Sequence, residues 1–88
     1  MITSHSFVFT KFAEKKFLRM EKELQARIRA KVEQIKDHEH IASVLKPLTN
    51  FGEATHRLRI GDHRLILKRI SEKDFLVIDV GHRSDVYK

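Results

Sequence analysis

Arginine and aliphatic residues alternate along two adjoining segments of the sequence. Arg57 and Arg59 flank Leu58, and Arg64 follows the pair Gly61-Asp62. Arginine offers planar, multiple N–H donors to phosphate oxygens and keeps its charge near neutral pH. The spacing therefore predicts a phosphodiester-binding site on a β-hairpin. The alternative is a solvated outer face that carries arginine, since exposed sheets also alternate polar and apolar residues.

A hairpin register follows from the turn. Two residues beginning with Gly are typical of a tight turn. With Gly61-Asp62 in that turn, Arg59 faces Arg64 and Leu58 faces Leu65. Directly opposed residues share a face, so the two leucines are predicted in the core and the two arginines become neighbours with Cβ atoms about 5 Å apart. Like charges in this position destabilise a sheet unless an anion lies between them.

A further strand is predicted after a loop at residues 71–74. Continuing the register places Ile70 opposite Phe75 and puts Arg83 on the arginine side. The residues predicted on the core side of this strand are Leu76, Ile78 and Val80. The apolar residues predicted at the other end of the arginine-bearing face are Ile66, Ile70, Phe75 and Val77.

Three groups with catalytic potential lie near the end of the sequence: His82, Arg83 and Tyr87. In an arginine-rich pocket, positive charge favours tyrosinate and neutral histidine, so either group could act as a base near neutral pH. His82 could equally be a core-side residue, as the register predicts, and Tyr87 could merely pack. His56 and His63 are weaker candidates.

A strand and two helices are predicted to support this sheet. Residues 6–9 alternate aromatic and other side chains and predict a strand, and Thr10 could cap a following helix. Apolar residues then recur at helical spacing from Ala13 to Ile35. One helix of this length would measure roughly 40 Å, whereas a compact chain of this size has a radius of gyration of about 12 Å. We therefore expect a break at residues 19–23 and a helical hairpin.

The segment between the helices and the arginine hairpin reads as a loop. Pro47 cannot donate to a strand ladder, and Gly52 is suited to a turn. His38-Glu39-His40 lacks a third ligand at a defined spacing, so we interpret it as a polar helix end and expect no metal. The apolar residues of this region that we expect beneath the sheet are Leu45, Leu48 and Phe51.

The composition indicates one small globular domain, residues 1–88, with a polyanionic partner. The chain has a net charge of +6 and a pI near 9.9, which favours nucleic acid or an acidic protein. The absence of cysteine excludes disulfides and thiolate chemistry. No segment has the roughly 20 apolar residues of a membrane span, and no secretory signal is apparent. We expect a cytoplasmic protein without membrane contact.

Three segments of the sequence resemble the RelE branch of the RelE/ParE toxin superfamily. They are LKPL at residues 45–48, RLRIGDHRLI at residues 57–66 and VGHRSDVY at residues 80–87. The predicted order of elements is also similar over nearly the whole chain. The resemblance implies an α+β fold with an N-terminal strand, a helical hairpin and then a three- to four-stranded antiparallel sheet, as in RelE-like microbial RNases.

The resemblance also implies an activity and its partners. The chain would be the toxin of a type II toxin-antitoxin system, a ribosome-dependent endoribonuclease that cleaves A-site mRNA and is held inactive by a cognate antitoxin. The 2′-hydroxyl of the mRNA would attack the adjacent phosphate, leaving a 2′,3′-cyclic phosphate and a free 5′-hydroxyl. No cofactor is implied.

Residue roles carried over from the resemblance form three groups. Arg57, Arg59 and His63 would bind the RNA. Arg64 would stabilise the charge that develops on the phosphate, and Arg83 would steady or protonate the leaving oxygen. Tyr87 would stack on a base or take the 2′-hydroxyl proton, and His82 would share the acid-base work. The antitoxin is expected to contact the apolar end of the same face, at Ile66, Phe75 and Val77.

The sequence departs from the family pattern at two positions. His63 stands where a tyrosine is often found, and Leu67 stands where another aromatic residue is common, which would alter base stacking.

One alternative function is that of a ParE-like inhibitor of DNA gyrase without nuclease activity, against which the cluster of His82, Arg83 and Tyr87 argues. The other is an RNA- or ribosome-binding module without activity, which would keep the arginines but need no Tyr87.

Overall fold

The computed structural model describes residues 4–82, which form a five-stranded sheet with two helices on one face. The strand order is β1-β5-β4-β3-β2, with β1 parallel to β5 and the other pairs antiparallel. The elements are β1 (Ser6–Phe9), α1 (Lys11–Leu18), α2 (Lys22–Ile35), a 3-10 helix (Ile41–Val44), β2 (Lys46–Pro47), β3 (His56–Ile60), β4 (His63–Arg69) and β5 (Asp74–His82).

The predicted α+β fold is confirmed, with a small difference in the number of strands. Within the predicted loop, Lys46 and Pro47 pair with β3 as a two-residue edge strand. Proline is tolerated there because an edge strand does not need every N–H group for its ladder. β1 joins the same sheet at the other edge, so the sheet is mixed rather than wholly antiparallel.

The helical hairpin has the predicted break, between Leu18 and Lys22. Thr10 caps α1, as predicted, because its hydroxyl oxygen accepts a hydrogen bond from the Ala13 N–H at 3.1 Å. The buried amide of Gln25 donates to the carbonyl of Met20 at 2.8 Å. This side chain thereby satisfies a carbonyl at the break, where α1 has ended and no helical donor is available.

The arginine hairpin has the predicted register. Arg59 lies opposite Arg64, and Leu58 lies opposite Leu65. Gly61 adopts a positive φ of 61°, while no positive φ occurs at Asp62. A positive φ at the first turn residue alone is typical of a type II′ turn, whose twist matches that of the flanking strands.

The register of β5 is as predicted at one end and wrong at the other. Leu65 pairs with Val80, as expected, but Leu67 pairs with Val77 because a β-bulge lies between the two pairs. A bulge adds one residue to one strand and therefore reverses the faces of all residues beyond it. Phe75 and Val77 consequently lie in the main core, whereas Leu76 and Ile78, predicted to be core residues, are only partly buried.

The two faces of the sheet carry cores of unequal size. On the helix face, defined as the face covered by α1 and α2, one large cluster joins the helices to the strands. On the outer face, defined as the opposite one, Ile66 is buried against Ala54 of the loop that precedes β3. Leu45 packs in the main core, whereas Leu48 and Phe51 pack against this outer cluster. The fully buried large residues of the main core are Ile28, Leu58, Leu65, Leu67, Phe75, Val77 and Val80.

Candidate nucleic-acid interface

Three of the predicted RNA-contacting arginines share the outer face. Arg59 and Arg64 are directly opposed across β3 and β4, and Arg57 lies two residues from Arg59. Strand residues alternate between faces, so these three lie on the side away from Leu58 and Leu65. The hairpin thus places the predicted arginine group together.

Arg59 and Arg64 differ in their exposure to solvent. Arg59 is exposed, and its Nε donates to the Gly61 carbonyl at 3.0 Å. Arg64 is half-buried, with its Nε atom shielded from solvent, and it lies opposite Gly81 on β5. Because glycine has no side chain, β5 leaves space next to Arg64 on the outer face. This arrangement gives one exposed and one half-buried guanidinium on adjacent strands.

His63 and His82 lie on the helix face rather than beside the arginines of the outer face, so RNA binding by His63 stays a prediction that this position does not support. The two residues pair across β4 and β5, and their rings meet edge to face with centroids 5.4 Å apart. Ile60, opposite His63, belongs to the main core. His63 also lines a cavity of about 490 Å³ with Glu21, Glu23 and Arg27, on the opposite side of the sheet from the arginine group.

His82 therefore has the core-side position that the register predicted. Its position does not put it with Arg59 and Arg64, so the predicted share of acid-base work at their phosphate is not supported by the described geometry. The other two members of the predicted cluster, Arg83 and Tyr87, lie outside the described residues.

The predicted antitoxin contacts are wrong as surface residues. Phe75 and Val77 have no exposed area and belong to the main core, because the bulge places them on the helix face. Ile66 lies on the outer face as expected but is only 2% exposed. The loop carrying Leu48 and Phe51 covers it, so a partner cannot reach it without moving that loop.

A basic cleft along the edge of the sheet was missed by the sequence analysis. It has a volume of about 280 Å³ and lies between α2, the 3-10 helix and β3. Lys31 and Lys46 contribute to it together with Arg57 and Arg59. Lys31 lies on α2, and no local pattern connects it with a lysine 15 positions later. Only the packing of α2 beside β3 brings these charges together.

One titratable group near the sheet has a shifted pKa. His56 is half-buried on β3, and its Nδ1 lies 2.9 Å from the Thr55 hydroxyl oxygen. Burial lowers the pKa of His56, and the nearby charge of Arg69 lowers it further. A neutral ring at this site is consistent with its edge contact to Phe75, at a centroid distance of 6.1 Å.

Two sequence predictions concern the His38-Glu39-His40 segment and membrane spans. His38 accepts a hydrogen bond from the His40 N–H at 3.0 Å, which fits a polar helix end. Over this range no group of three or more metal-ligating side chains is present. Neither helix in the described part of the chain combines the length and the apolar composition needed to cross a membrane.

The fold is similar to that of solved toxin structures. The RelBE2 toxin-antitoxin complex from Mycobacterium tuberculosis includes a chain that matches with a TM-score of 0.75 and 19% identity, over 92% of this chain and 100% of that one. The isolated E. coli RelE toxin matches with a TM-score of 0.71 and 21% identity, over 96% and 92%. A RelB-RelE complex from Methanococcus jannaschii includes a chain that matches with a TM-score of 0.68 and 17% identity, over 92% of this chain and 95% of that one. At these identities the likeness establishes the fold.

The family is established by a sequence model rather than by close relatives. No curated protein matches the chain. The family model described as the ParE toxin of type II toxin-antitoxin systems, parDE, matches residues 7–87, which is nearly the whole sequence. Together with the fold, this match confirms the predicted superfamily: the chain belongs to the RelE/ParE toxins and is the toxin of a type II toxin-antitoxin system.

Proposed function

We propose that this toxin inhibits translation by cleaving mRNA on the ribosome. The observation that carries the proposal is the opposed pair of Arg59 and Arg64 on the outer face, with Arg57 on the same strand as Arg59. Two guanidinium groups on facing strand positions repel each other in the free protein. A phosphodiester between them would convert that repulsion into charge-assisted hydrogen bonds.

The proposed reaction uses the RNA's own nucleophile. The 2′-oxygen forms a bond to the adjacent phosphorus while the bond from phosphorus to the 5′-oxygen breaks. A base accepts the 2′-hydroxyl proton, and an acid protonates the departing 5′-oxygen. The products are a 2′,3′-cyclic phosphate and a free 5′-hydroxyl, so no water or cofactor is consumed.

Arg64 is assigned to the reacting phosphate because it is the more buried of the opposed pair and lies opposite Gly81 on β5. A donor that is partly shielded from water interacts more strongly with the negative charge of the transition state than a donor in open solvent. Arg57 and Arg59, nearer the sheet edge, would bind neighbouring phosphates. Tyr87 and Arg83 are proposed from the sequence as base and acid, with Tyr87 also able to stack on a base.

A cognate antitoxin is proposed as the regulatory partner. Two of the similar structures are toxin-antitoxin complexes, from Mycobacterium tuberculosis and Methanococcus jannaschii. The ribosome and its A-site mRNA are proposed as the target. Because the chain carries a net charge of +6, an antitoxin of complementary charge would also shield the arginines from RNA.

The test is cleavage of mRNA on programmed ribosomes, with the new 5′ ends mapped. The wild-type toxin should cut, and Arg64→Ala should cut about 10²- to 10³-fold more slowly, the loss typical of one transition-state donor. Arg19→Ala removes the same charge at the exposed break between the helices and should cut normally. Tyr87→Phe should also be slow. Intact mRNA with wild-type toxin, or unchanged cutting by Arg64→Ala, would rule out this function as assigned.

Inhibition of DNA gyrase is the second candidate, because the matching family model is that of the ParE toxin. A supercoiling assay with purified gyrase separates the two functions. Loss of supercoiling with ribosome-bound mRNA left whole would establish the gyrase function. Cleaved mRNA with normal supercoiling would establish the nuclease.

A further inference from the structure

The basic cleft is set apart by its charge. Four cationic residues from α2, β2 and β3 line it: Lys31, Lys46, Arg57 and Arg59. The remaining lining residues are Ser43, Val44, Leu45 and Leu58, so no carboxylate contributes to its walls within residues 4–82. Gathering four like charges costs electrostatic energy that an anionic ligand would recover.

Three other lysines of residues 4–82 are paired with carboxylates, namely Lys16, Lys36 and Lys68. Lys16 lies 2.6 Å from an Asp79 carboxylate oxygen, and Lys36 lies 2.8 Å from Glu33. Over residues 4–82, no carboxylate lies within 4.0 Å of the ammonium groups of Lys31 and Lys46. Lys31 and Lys46 differ from the other lysines without an ion pair because they line one cleft together with two arginines.

The cleft is continuous with the arginines of the outer face. Arg57 and Arg59 belong to both, because β2 pairs only with His56 and Arg57 and leaves residues 58–60 at the edge of the sheet. Adjacent strands lie roughly 5 Å apart, so a chain crossing from Arg64 to Arg59 reaches this edge after one strand spacing. A ligand with regularly spaced negative charges could therefore occupy both places at once.

The walls of the cleft favour nucleic acid over protein. They are mostly polar, whereas the buried centre of a protein interface is enriched in apolar and aromatic groups and depleted of lysine. Lysine and arginine that follow a groove are the usual means of binding a nucleic-acid backbone without reading its sequence.

We propose that this cleft binds backbone phosphates of the single-stranded RNA that flanks the cleaved bond. Lys31 and Lys46 hold the strand beyond the reacting phosphate, while Arg59 and Arg64 hold the phosphates nearer the cut. The inference rests on the proposed nuclease function and adds a binding site to it. Lys31 and Lys46 contribute affinity and position, and they take no part in the chemical step.

The test measures how RNA binding depends on salt. The probe is a fluorescent single-stranded RNA with 2′-O-methyl groups, which lacks the nucleophile and stays intact. Each phosphate contact in a single strand contributes about 0.7 to the slope of log K against log salt. The double variant Lys31→Gln/Lys46→Gln should lower the slope by about 1.4. Thermal unfolding of the variant should match that of the wild type, since both side chains reach solvent.

A matched control removes two positive charges at the two ends of α2. Lys22→Gln/Lys36→Gln alters an exposed lysine and the partner of Glu33. Its salt slope should equal that of the wild type. An equal fall in both double variants would mean that only net charge matters, and it would overturn the cleft as a site.

Cleavage on ribosomes separates failure of the cleft from failure of the nuclease function. The cleft variant should need more ribosome-bound mRNA for half-maximal rate, with the rate at saturation unchanged. If wild type binds and cleaves RNA but the cleft variant keeps its salt slope, the cleft inference alone fails. If wild type neither binds nor cleaves, both fail. A variant with normal RNA binding but weakened antitoxin binding would reassign the cleft to protein and overturn the inference.

Discussion

The two faces of the central strands are built from alternate residues but differ in burial and in residue type. On the helix face, Leu58, Leu65 and Val80 line up across three strands and are at most 2% exposed. One residue further along, Arg59, Arg64 and Gly81 line up on the outer face. The helices cover the first row. No helix of the described residues packs over the second row.

Residues that stabilise the core and residues proposed to bind RNA are thus neighbours in the sequence. The helix face contributes the large core, and the outer face contributes only the small cluster around Ile66 and Ala54. Like-charged neighbours are tolerated on the outer face because the opposite face holds the strands in place. Substitutions on the two faces should therefore have different signatures, one in unfolding and the other in RNA binding.

The largest expected effect is a loss of stability when the adjacent residues Leu65 and Ile66, which lie on opposite faces of the sheet, are truncated to alanine. Leu65→Ala should lower the free energy of unfolding by about 3 to 4 kcal/mol, because it leaves a cavity in a core that cannot collapse around it. Ile66→Ala should cost about 2 kcal/mol, near the lower end for such changes, because the covering loop can settle onto the smaller residue. Urea unfolding measures both. Equal losses would mean that the outer cluster supports the fold as strongly as the main core does.

A smaller effect is expected at the turn that joins β3 and β4. Gly61→Ala should cost about 1 to 2 kcal/mol, because a residue with a Cβ is strained at a positive φ. The added Cβ would also lie 2.9 Å from Nη2 of Arg27. Thermal unfolding measures the loss.

Arg27→Ala provides the control for Gly61→Ala. It removes the side-chain contact, so the glycine substitution should cost less in that background, by the share due to Arg27. Identical costs in both backgrounds would show that the arginine simply moves aside and that only backbone strain matters.

Much of the fold could be predicted because the decisive signals are local. The hairpin register followed from two residues, Gly61-Asp62, and the helix break followed from length alone. The bulge in β5 could not be predicted, since residues 75–78 are all apolar and can face the core in either register. That single extra residue explains why Phe75 and Val77 were assigned to a surface.

The site was predictable only where one hairpin builds it. Arg57, Arg59 and Arg64 share a face by alternation, which sequence shows directly. The cleft depends on α2 approaching the sheet edge, and the burial of Ile66 depends on a loop folding back over the outer face. Contacts between distant segments leave no periodic signal, so the sequence does not connect Lys31 with Lys46.

The smallest effect should appear in the pH dependence of stability, at the edge of the helix face. Burial and Arg69 hold the pKa of His56 below its unfolded value of about 6.5. As pH falls, the unfolded chain therefore binds a proton first. The contribution of His56 is complete above about pH 6.5 and is lost as pH falls through its folded pKa. Wild type should lose more stability than His56→Gln between pH 7 and pH 5 in urea unfolding. Parallel losses would mean that His56 titrates alike in both states and that Arg69 has no effective influence on it.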